Sequence, residues 1–290
     1  MTEARTAVML MSYGTPRTQA DILPYYTDIR RGNPPTDQQL ADLTARYDAI
    51  GGISPLAERS EAQRQAVQAA LDDLHPGGYH VTTGTKHAPP FIEASVEELA
   101  SLGFQRVVGL VLAPHYSAFS VGQYLDRLSA AAEQHGMAVA GIRSWATMPA
   151  FVNFIATDMG TKLAAMPAST RVVFTSHSLP ARILASGDPY PSEIAATAQC
   201  VAEAIGLDDW GLAWQSAGRT PEPWLEPDIL KVIDELGADG HTNGLLVSAV
   251  GFVADHLEVL YDLDIEAARR AAGQDLVFAR TACVNDDPAV

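Results

Sequence analysis

The sequence predicts an α/β protein in two halves, each a four-stranded parallel sheet flanked by helices. Eight short apolar runs alternate with helical patterns along the 290 residues. The runs are nearly continuous in Val, Leu and Ile, which is typical of strands buried on both faces of a parallel sheet. Four runs precede the long helical pattern over 148–165 and four follow it. We therefore expect two domains, 1–147 and 148–290.

Each element follows from its own pattern of apolar residues. Runs of four to eight apolar residues are predicted to be strands, and apolar residues with a spacing of three and four are predicted to be helices. The predicted strands are 7–12, 79–84, 106–113, 138–143, 171–176, 209–214, 244–250 and 276–280. The predicted helices are 38–50, 57–74, 92–102, 120–135, 148–165, 191–205 and 226–236, with one more that begins near Ala254.

Composition and charge exclude several classes of protein. The net charge of −16 repels phosphate backbones and argues against nucleic-acid binding, so an anionic ligand would need local arginines. The two cysteines cannot build a disulfide framework or a site with four thiolates. No apolar stretch reaches the roughly 18 residues of a membrane span, and the N-terminus lacks the layout of a signal peptide. We expect a soluble cytoplasmic protein without stable membrane insertion.

Polar and titratable residues follow most of the predicted strands. Ligands of open parallel sheets bind outside the carboxyl ends of the strands, which is where these residues fall. No GxGxxG, Walker or GxSxG motif occurs at these turns, so nucleotide cofactors and serine hydrolysis have no motif support. The residues that follow strands include Tyr13, Lys86, His87, His115, His177, Gln215 and Glu258.

An acidic row and one histidine are candidates for metal chemistry. Glu258, Asp262 and Glu266 recur every fourth residue, which places them on one side of an α-helix. Such a row is either a solvated face or a path for a cation. His177 is either a hydrogen-bonded loop residue or a base and metal ligand. His177 and Glu258 are too few for a structural zinc site but suit a metal that is handed onward.

Three arginines form a local positive concentration in this acidic chain. Arg30, Arg31 and Arg46 lie within 17 positions of one another, near several tyrosines. Guanidinium groups pair well with carboxylates, although arginines at a helix end can also be simply solvated. The combination suits a polyanionic ligand with an apolar body, whereas ordinary packing is the commoner use of the tyrosines.

Eight motifs, in order along residues 7 to 268, resemble those of the ferrochelatase family. Within the family the resemblance is greatest to the coproporphyrin III ferrochelatases, which have a tyrosine where Tyr13 stands. The resemblance implies two Rossmann-like chelatase domains, the first on the porphyrin-propionate side and the second on the metal side. It also implies that the C-terminal end could pack against the first domain. The motifs are MSYGTP, YYTDIRRGNPP, RYDAIGGISPL, TKHAPPFIE, PHYSAFSVGQY, SHSLP, WQSAGRTPEPWLEPD and VGFVADHLEVLYDLDIE.

The resemblance also implies roles for individual residues. His177 and Glu258 are expected to handle the incoming Fe(II) and the pyrrole protons, with Asp262 and Glu266 leading metal toward Glu258. Tyr13 is expected to lie on the opposite face of the porphyrin and to be an axial ligand of the product iron. The residues expected to hold the porphyrin and its propionates are Arg30, Arg46, Tyr47, Ser54 and Tyr124, with His87 near the site.

The implied reaction is insertion of Fe(II) into coproporphyrin III, which gives Fe-coproporphyrin III (coprohaem) and two protons in haem biosynthesis. Fe(II) is then a substrate, and no permanent cofactor is expected. Some relatives hold a [2Fe–2S] cluster on four cysteines, which the two cysteines of this chain cannot supply. We expect a monomer that passes its product to a coprohaem decarboxylase. The alternatives are a chelatase for another metal or tetrapyrrole, such as cobalt, nickel or protoporphyrin IX, and a non-catalytic porphyrin- or haem-binding protein.

Overall fold

The structure is a computed structural model that describes residues 5–218 and 220–290; residue 219, in the WQSAGRTPEPWLEPD motif, and residues 1–4 lie outside the described part. Strands and helices alternate along most of the chain. The strands are β1 Thr6–Ser12, β2 Tyr79–Thr85, β3 Arg106–Val111, β4 Ala138–Ile142, β5 Thr170–His177, β6 Trp210–Gln215, β7 Gly244–Ser248 and β8 Val277–Arg280. The helices are α1 Ile22–Ile29, α2 Asp37–Ala49, α3 Leu56–Leu74, α4 Ile92–Ser101, α5 Val121–Gln134, α6 Pro149–Leu163, α7 Arg182–Ala185, α8 Tyr190–Ile205, α9 Ile229–Asp239, α10 Leu257–Leu260, a π-helix Asp262–Ala267, and α11 Ala268–Ala272.

The strands form two four-stranded parallel sheets with the same connectivity. The first has the order β2-β1-β3-β4 and the second the order β6-β5-β7-β8. Most residues of the central strands β1 and β5 are buried, and so are all five residues of the central strand β7. The predicted fold class is confirmed, and each predicted strand ends within two residues of the observed one.

The chain divides into two compact units, each built on one sheet. The first unit comprises the residues up to Ala113 together with Ser120–Ser144 and Ala254–Leu257. The second comprises Pro114–Phe119, Trp145–Val253 and Glu258–Val290. The division at 147/148, with propionate binding assigned to one side and metal to the other, stays a prediction.

Side chains from both faces of each sheet pack under the helices. In the first unit Met9, Met11 and Leu128 have almost no exposed surface. In the second unit the core contains Val173 and Val247 of the sheet and Leu263 of the π-helix. Burial of a large aliphatic side chain stabilises the fold by about 1.5–3 kcal/mol. Because Leu263 belongs to this core, the π-helix is anchored to the sheet that carries His177.

α3 has 19 residues and an exposed face rich in charged and amide side chains, whereas its partly buried Val67 and Leu71 pack on the core of the first unit. Local caps define where helices begin: the Thr36 hydroxyl accepts from the Gln39 amide before α2, and the Asp228 carboxylate accepts from the Leu230 amide before α9. Over the described ranges, no helix has both the length and the apolar character needed to cross a bilayer.

The segment after β7 differs from the prediction of one α-helix that begins near Ala254. The Val253 carbonyl accepts from the Asn285 amide at 2.7 Å, so it is engaged outside any helix, and α10 begins only at Leu257. The Glu266 amide then donates to the Tyr261 carbonyl at 2.9 Å, a bond five residues apart that defines the π-helix. Glu258 is therefore in α10, whereas Asp262 and Glu266 are in the π-helix. The three side chains do not share one face of a single α-helix, as their spacing of four residues had predicted.

Candidate active site

His177 and Glu258 lie next to each other at the carboxyl end of the second sheet. His177 is the last residue of β5, and Glu258 is in the first turn of α10. The His177 Nε2 and Glu258 Oε1 atoms are 3.5 Å apart, and the two side chains are 33% and 35% exposed. This distance is within ion-pair range and longer than an ordinary hydrogen bond. A proton or a metal ion could therefore reach both groups from solvent.

The tautomer of His177 follows from its backbone neighbour. Nδ1 of the ring lies within hydrogen-bond distance of the Ser178 carbonyl oxygen, which can only accept. Nδ1 therefore carries a hydrogen in the neutral ring, and the lone pair is on Nε2, the atom that faces Glu258. An Nε2 lone pair beside a carboxylate is the arrangement that a base or a transient metal ligand requires.

Electrostatics favour protonation of His177. Burial alone would lower its pKa, because burial penalises the charged ring. The Glu258 carboxylate, the Ser178 carbonyl and the Asp262 carboxylate act in the opposite direction, and the net result is a pKa above the ordinary 6.5. The ring therefore accepts a proton more readily than an isolated histidine does.

Tyr190 holds the backbone of His177. Its hydroxyl donates to the His177 carbonyl oxygen at 3.0 Å and accepts from the Ser176 hydroxyl. Tyr190 is 6% exposed, and burial raises the pKa of its phenol, so the hydroxyl keeps its hydrogen. The buried phenol of Tyr190 thus holds the last two residues of β5, Ser176 and His177, in position.

Gln215 connects the strand of His177 to the helix of Glu258. In the sheet Gln215 pairs with His177, and it is 1% exposed. Its side-chain oxygen accepts from the Thr175 hydroxyl at 2.9 Å, and its side-chain nitrogen donates to the Glu258 carbonyl oxygen at 2.9 Å. The Gln215 carbonyl also accepts from the Ser178 amide at 2.7 Å. One amide side chain therefore links α10 to β5 and helps to fix the distance between them.

Ser216 and Gly251 complete the support of this end of the sheet. Ser216 has a φ of +60°, uncommon for a residue with a Cβ, and its hydroxyl donates to Asp262 Oδ2 at 2.5 Å. Gly251 passes so close to β5 that a Cβ added there would lie 1.9 Å from the Ser176 Oγ atom. The loop after β7 can therefore approach the strand of His177 only with glycine at this position.

The acidic residues of the π-helix have different environments. Asp262 is 6% exposed and accepts from Ser216, whereas Glu266 is half-buried. Asp264 is exposed and forms a two-point ion pair with Arg280, which ties the π-helix to β8. Across residues 5–218 and 220–290, no group of three or more His, Cys, Asp or Glu side chains is arranged to hold a metal ion.

The first unit collects a different set of side chains at the carboxyl end of its sheet. Tyr13 follows β1 and is 42% exposed, and its ring centroid is 4.5 Å from that of His87. His87 Nδ1 lies 2.7 Å from Asp28 Oδ2 of α1. Burial lowers the pKa of His87, although the hydrogen bond to Asp28 acts against it. Tyr25 stands edge-on to Tyr13, with 6.4 Å between the ring centroids, so α1 contacts Tyr13 through Tyr25 and His87 through Asp28.

The predicted propionate-binding residues fall into an accessible and a buried group. Arg30 ends α1, its Nε donates to the Asn33 carbonyl, and its guanidinium lies 5.7 Å from the Tyr26 ring centroid. Arg46, in the last turn of α2, is partly exposed. Tyr47, Ser54 and Tyr124 are 1%, 4% and 5% exposed, and the Ser54 hydroxyl accepts from the Leu56 amide at the start of α3.

For three supporting residues of the second unit, the sequence alone predicts no role. Gln215 and Ser216 follow a predicted strand, so their position does carry a signal, but nothing in the sequence pairs them with α10 or the π-helix. Tyr190 begins a helix thirteen residues after His177, and its contact with β5 arises only from tertiary packing.

Two solved structures show which fold class this is. The sirohydrochlorin chelatase SirB from Bacillus subtilis subspecies spizizenii, in complex with cobalt, matches with a TM-score of 0.58 and 10% identity over 98% of this chain and 90% of that chain. SirB from Bacillus subtilis with Fe3+ matches with a TM-score of 0.60 and 11% identity, again over 98% and 90%. At such low identity the likeness shows the fold alone, which is the two-domain chelatase fold.

Sequence comparison identifies the family. The family model described as Ferrochelatase matches residues 5–290. The Ferrochelatase of Herpetosiphon aurantiacus is 43% identical over 99% of this chain and 95% of its own length. The Coproporphyrin III ferrochelatase of Geobacillus kaustophilus is 42% identical over 92% of this chain and 86% of its own, and that of Oceanobacillus iheyensis is 41% identical over 92% and 87%. The chain belongs to the ferrochelatase family.

Proposed function

We propose that this protein inserts Fe(II) into coproporphyrin III, giving Fe-coproporphyrin III and two protons in haem biosynthesis. The observation that carries the proposal is the 3.5 Å approach of His177 Nε2 to Glu258 Oε1 in a member of the ferrochelatase family. The names of the Geobacillus and Oceanobacillus relatives support coproporphyrin III as the substrate.

The His177–Glu258 pair has the chemistry that metal insertion needs. A free-base porphyrin loses two N–H protons as its four nitrogens take the metal, so a base must be present. His177 presents an Nε2 lone pair, and its raised pKa makes it a good proton acceptor near neutral pH. Glu258 adds a negative charge that attracts Fe(II). One imidazole and one carboxylate bind a metal more weakly than a closed four-ligand site, so the ion can leave for the porphyrin.

The acidic residues beyond the pair can raise the local concentration of Fe(II). Asp262 and Glu266 follow Glu258 along the chain, and Asp262 acts on the charge of His177. Asp264 is already neutralised by Arg280, so it contributes to the position of the π-helix rather than to metal attraction. We propose that Asp262 and Glu266 lead the metal toward Glu258.

The first unit has the groups that a carboxylate-bearing macrocycle requires. Coproporphyrin III carries four carboxylates on a flat apolar ring, so it needs cations and aromatic surfaces together. We propose that Arg30, Arg46, Tyr47, Ser54 and Tyr124 form the propionate-binding region and that His87 supports Tyr13. Tyr13 is the exposed oxygen ligand proposed for the iron of the product.

The cellular setting follows from the substrate metal. Fe(II) persists under reducing conditions, and Cys200 and Cys283 are free thiols, as is usual in a reducing compartment. We propose a cytoplasmic, monomeric enzyme without a permanent cofactor or [2Fe–2S] cluster. The product keeps all four carboxylates, so its consumer would be a coprohaem decarboxylase.

Anaerobic mixing of the protein with Fe(II) and coproporphyrin III tests the proposal. The Soret and visible bands should change to those of the metallated porphyrin faster than without protein, and faster than with protoporphyrin IX. Metallation at the uncatalysed rate would contradict the enzymatic function and favour a porphyrin-binding protein. A preference for protoporphyrin IX, or for Co(II) or Ni(II) over Fe(II), would contradict the proposed substrates.

A further inference from the structure

Lys86 is a partly buried cation in the first unit that has no assigned role. It directly follows β2, and its amide donates to the Ser12 carbonyl at 3.0 Å, so it continues the sheet beside Tyr13. Its Nζ donates to the Gln123 side-chain oxygen at 2.6 Å and lies 5.3 Å from the centroid of the Tyr124 ring. The ammonium group is therefore held between an amide oxygen and an aromatic face.

Within the described ranges, no carboxylate lies at ion-pair distance from Lys86. Burial lowers its pKa, and so do the positive charges of Arg127 and Arg31. A partly buried ammonium without a counter-charge is unfavourable. The chain has 35 acidic and 19 basic residues, so acidic side chains are abundant. Even so, none in the described ranges forms an ion pair with Lys86.

Neighbouring cations show two contrasting arrangements. Arg127 forms a two-point ion pair with Glu93, at 2.8 and 2.7 Å, and its positive charge is satisfied within the protein. For Arg30 and Arg31, as for Lys86, no carboxylate is at ion-pair distance among residues 5–218 and 220–290. We call Arg30, Arg31 and Lys86 the unpaired cations. The positive charge of Arg31 acts on that of Lys86, which directly precedes His87, in a protein of net charge −16.

We propose that Lys86 binds a carboxylate of the porphyrin that a dicarboxylate porphyrin lacks, and so helps to select the tetracarboxylate substrate. The inference rests on the proposed function. Arg30 and Arg46 supply two of the four cations that coproporphyrin III would require, and Arg31 and Lys86 supply two more. A lysine suits this place because its stem can lie along the Tyr124 ring while its compact charge meets one carboxylate oxygen.

The test compares the binding of metal-free coproporphyrin III with that of mesoporphyrin IX, which has two carboxylates. Dissociation constants are measured by quenching of tryptophan fluorescence for the wild type and Lys86→Met, with Lys231→Met as the control on an exposed face of α9. Loss of one charge-assisted contact should weaken coproporphyrin III binding about tenfold or more, whereas mesoporphyrin IX binding should change by less than about threefold. Lys231→Met should change neither.

A second variant separates charge from folding. Lys86→Gln removes the charge and keeps a polar stem, and Lys86→Arg keeps the charge; far-ultraviolet circular dichroism checks that each variant folds. Lys86→Gln should bind coproporphyrin III as weakly as Lys86→Met, and Lys86→Arg should retain more affinity than either. Equal weakening of both porphyrins, or no weakening of coproporphyrin III, overturns the inference. Because the readout is binding without metal, a wild type that binds but does not metallate would refute the proposed function alone.

Discussion

The side-chain amide of Gln215 donates a hydrogen bond to the backbone carbonyl of Glu258 at 2.9 Å. The same side chain accepts from Thr175, two residues before His177 on β5. The spacing between the imidazole and the carboxylate is therefore set by a buried third residue that touches neither functional group. This arrangement predicts that changes at Gln215 act on the reaction through the position of Glu258.

Replacement of Gln215 by Leu should lower kcat for iron insertion about tenfold and leave the KM for porphyrin unchanged, because loss of position affects the reacting groups and not porphyrin binding. It should also lower the free energy of unfolding by about 1–3 kcal/mol, since the Thr175 hydroxyl and the Glu258 carbonyl lose their partner. Anaerobic initial rates and urea unfolding measure the two effects. Gln199→Leu, on the exposed face of α8, is the matched control. A raised KM with an unchanged kcat would show that Gln215 does not act through Glu258.

The pKa of His177 should depend on Glu258. The pKa is raised above 6.5 in the wild type, with Glu258 among its main causes. Glu258→Gln removes the carboxylate charge that raises the His177 pKa, whereas the effect of burial, which lowers it, remains. The pKa of His177 should therefore decrease. Nuclear magnetic resonance titration of the histidine ring protons, assigned with His177→Ala, measures the change. An identical pKa in the wild type and Glu258→Gln would refute the electrostatic coupling.

The insertion rate and the stability of the fold should both depend on pH, in opposite directions. The neutral ring is the base, so the rate of insertion should decrease as the pH falls through the raised pKa, which lies above 6.5. The contribution of the His177–Glu258 pair to folding behaves oppositely: it is fully present below the unfolded pKa and is lost as the pH rises through the folded pKa. Rate profiles and urea unfolding across neutral pH check both directions.

Gly251→Ala should destabilise the second unit. Its Cβ would meet Ser176 Oγ at 1.9 Å, and the backbone of β5 is also close, so the loop must shift. We expect a loss of about 1–3 kcal/mol in the free energy of unfolding, as for other overpacked sites. Gly160→Ala in α6 meets no heavy atom within 4 Å and should be neutral or stabilising by up to about 1 kcal/mol. Equal stability of the two variants in urea unfolding would contradict the close approach.

Tyr13→Phe tests axial ligation in the product. Tyr13 is 42% exposed, so its oxygen is accessible to a bound macrocycle. The substitution removes that oxygen and keeps the ring next to His87. The visible spectrum of bound ferric coproporphyrin should change more than the rate of insertion does. An unchanged spectrum would rule out Tyr13 as a ligand.

The sheets could be predicted because the strands of a buried parallel sheet contain runs of apolar residues. β5 and β7 are examples: each is buried over most of its length, with the apolar run 172–174 at the centre of β5, and each appears within two residues of its prediction. The ends of these strands also indicated where titratable residues collect, since the carboxyl edge of a parallel sheet follows from topology. The proximity of His177 and Glu258 belongs to this predictable part, once the resemblance to the family is added.

The local geometry after β7 could not be predicted in the same way. Its acidic residues recur every fourth position, which favours an α-helix, but Val253 bonds to Asn285 and Tyr261 accepts from Glu266. The Val253–Asn285 bond is a tertiary contact that no local pattern encodes, and the Tyr261–Glu266 bond is a local departure from the α-helical spacing that the acidic row favours. The link from Gln215 to Glu258 spans 43 residues and has the same origin.

His177, paired with Glu258, is proposed to carry out metal insertion and not to be required for porphyrin binding. The most direct test is the anaerobic rate of Fe(II) insertion into coproporphyrin III by His177→Ala, measured beside its dissociation constant for the metal-free porphyrin. We expect a rate at least about 100-fold below that of the wild type, because the base is lost, with an unchanged dissociation constant. Turnover at the wild-type rate by a variant that binds porphyrin normally would contradict it.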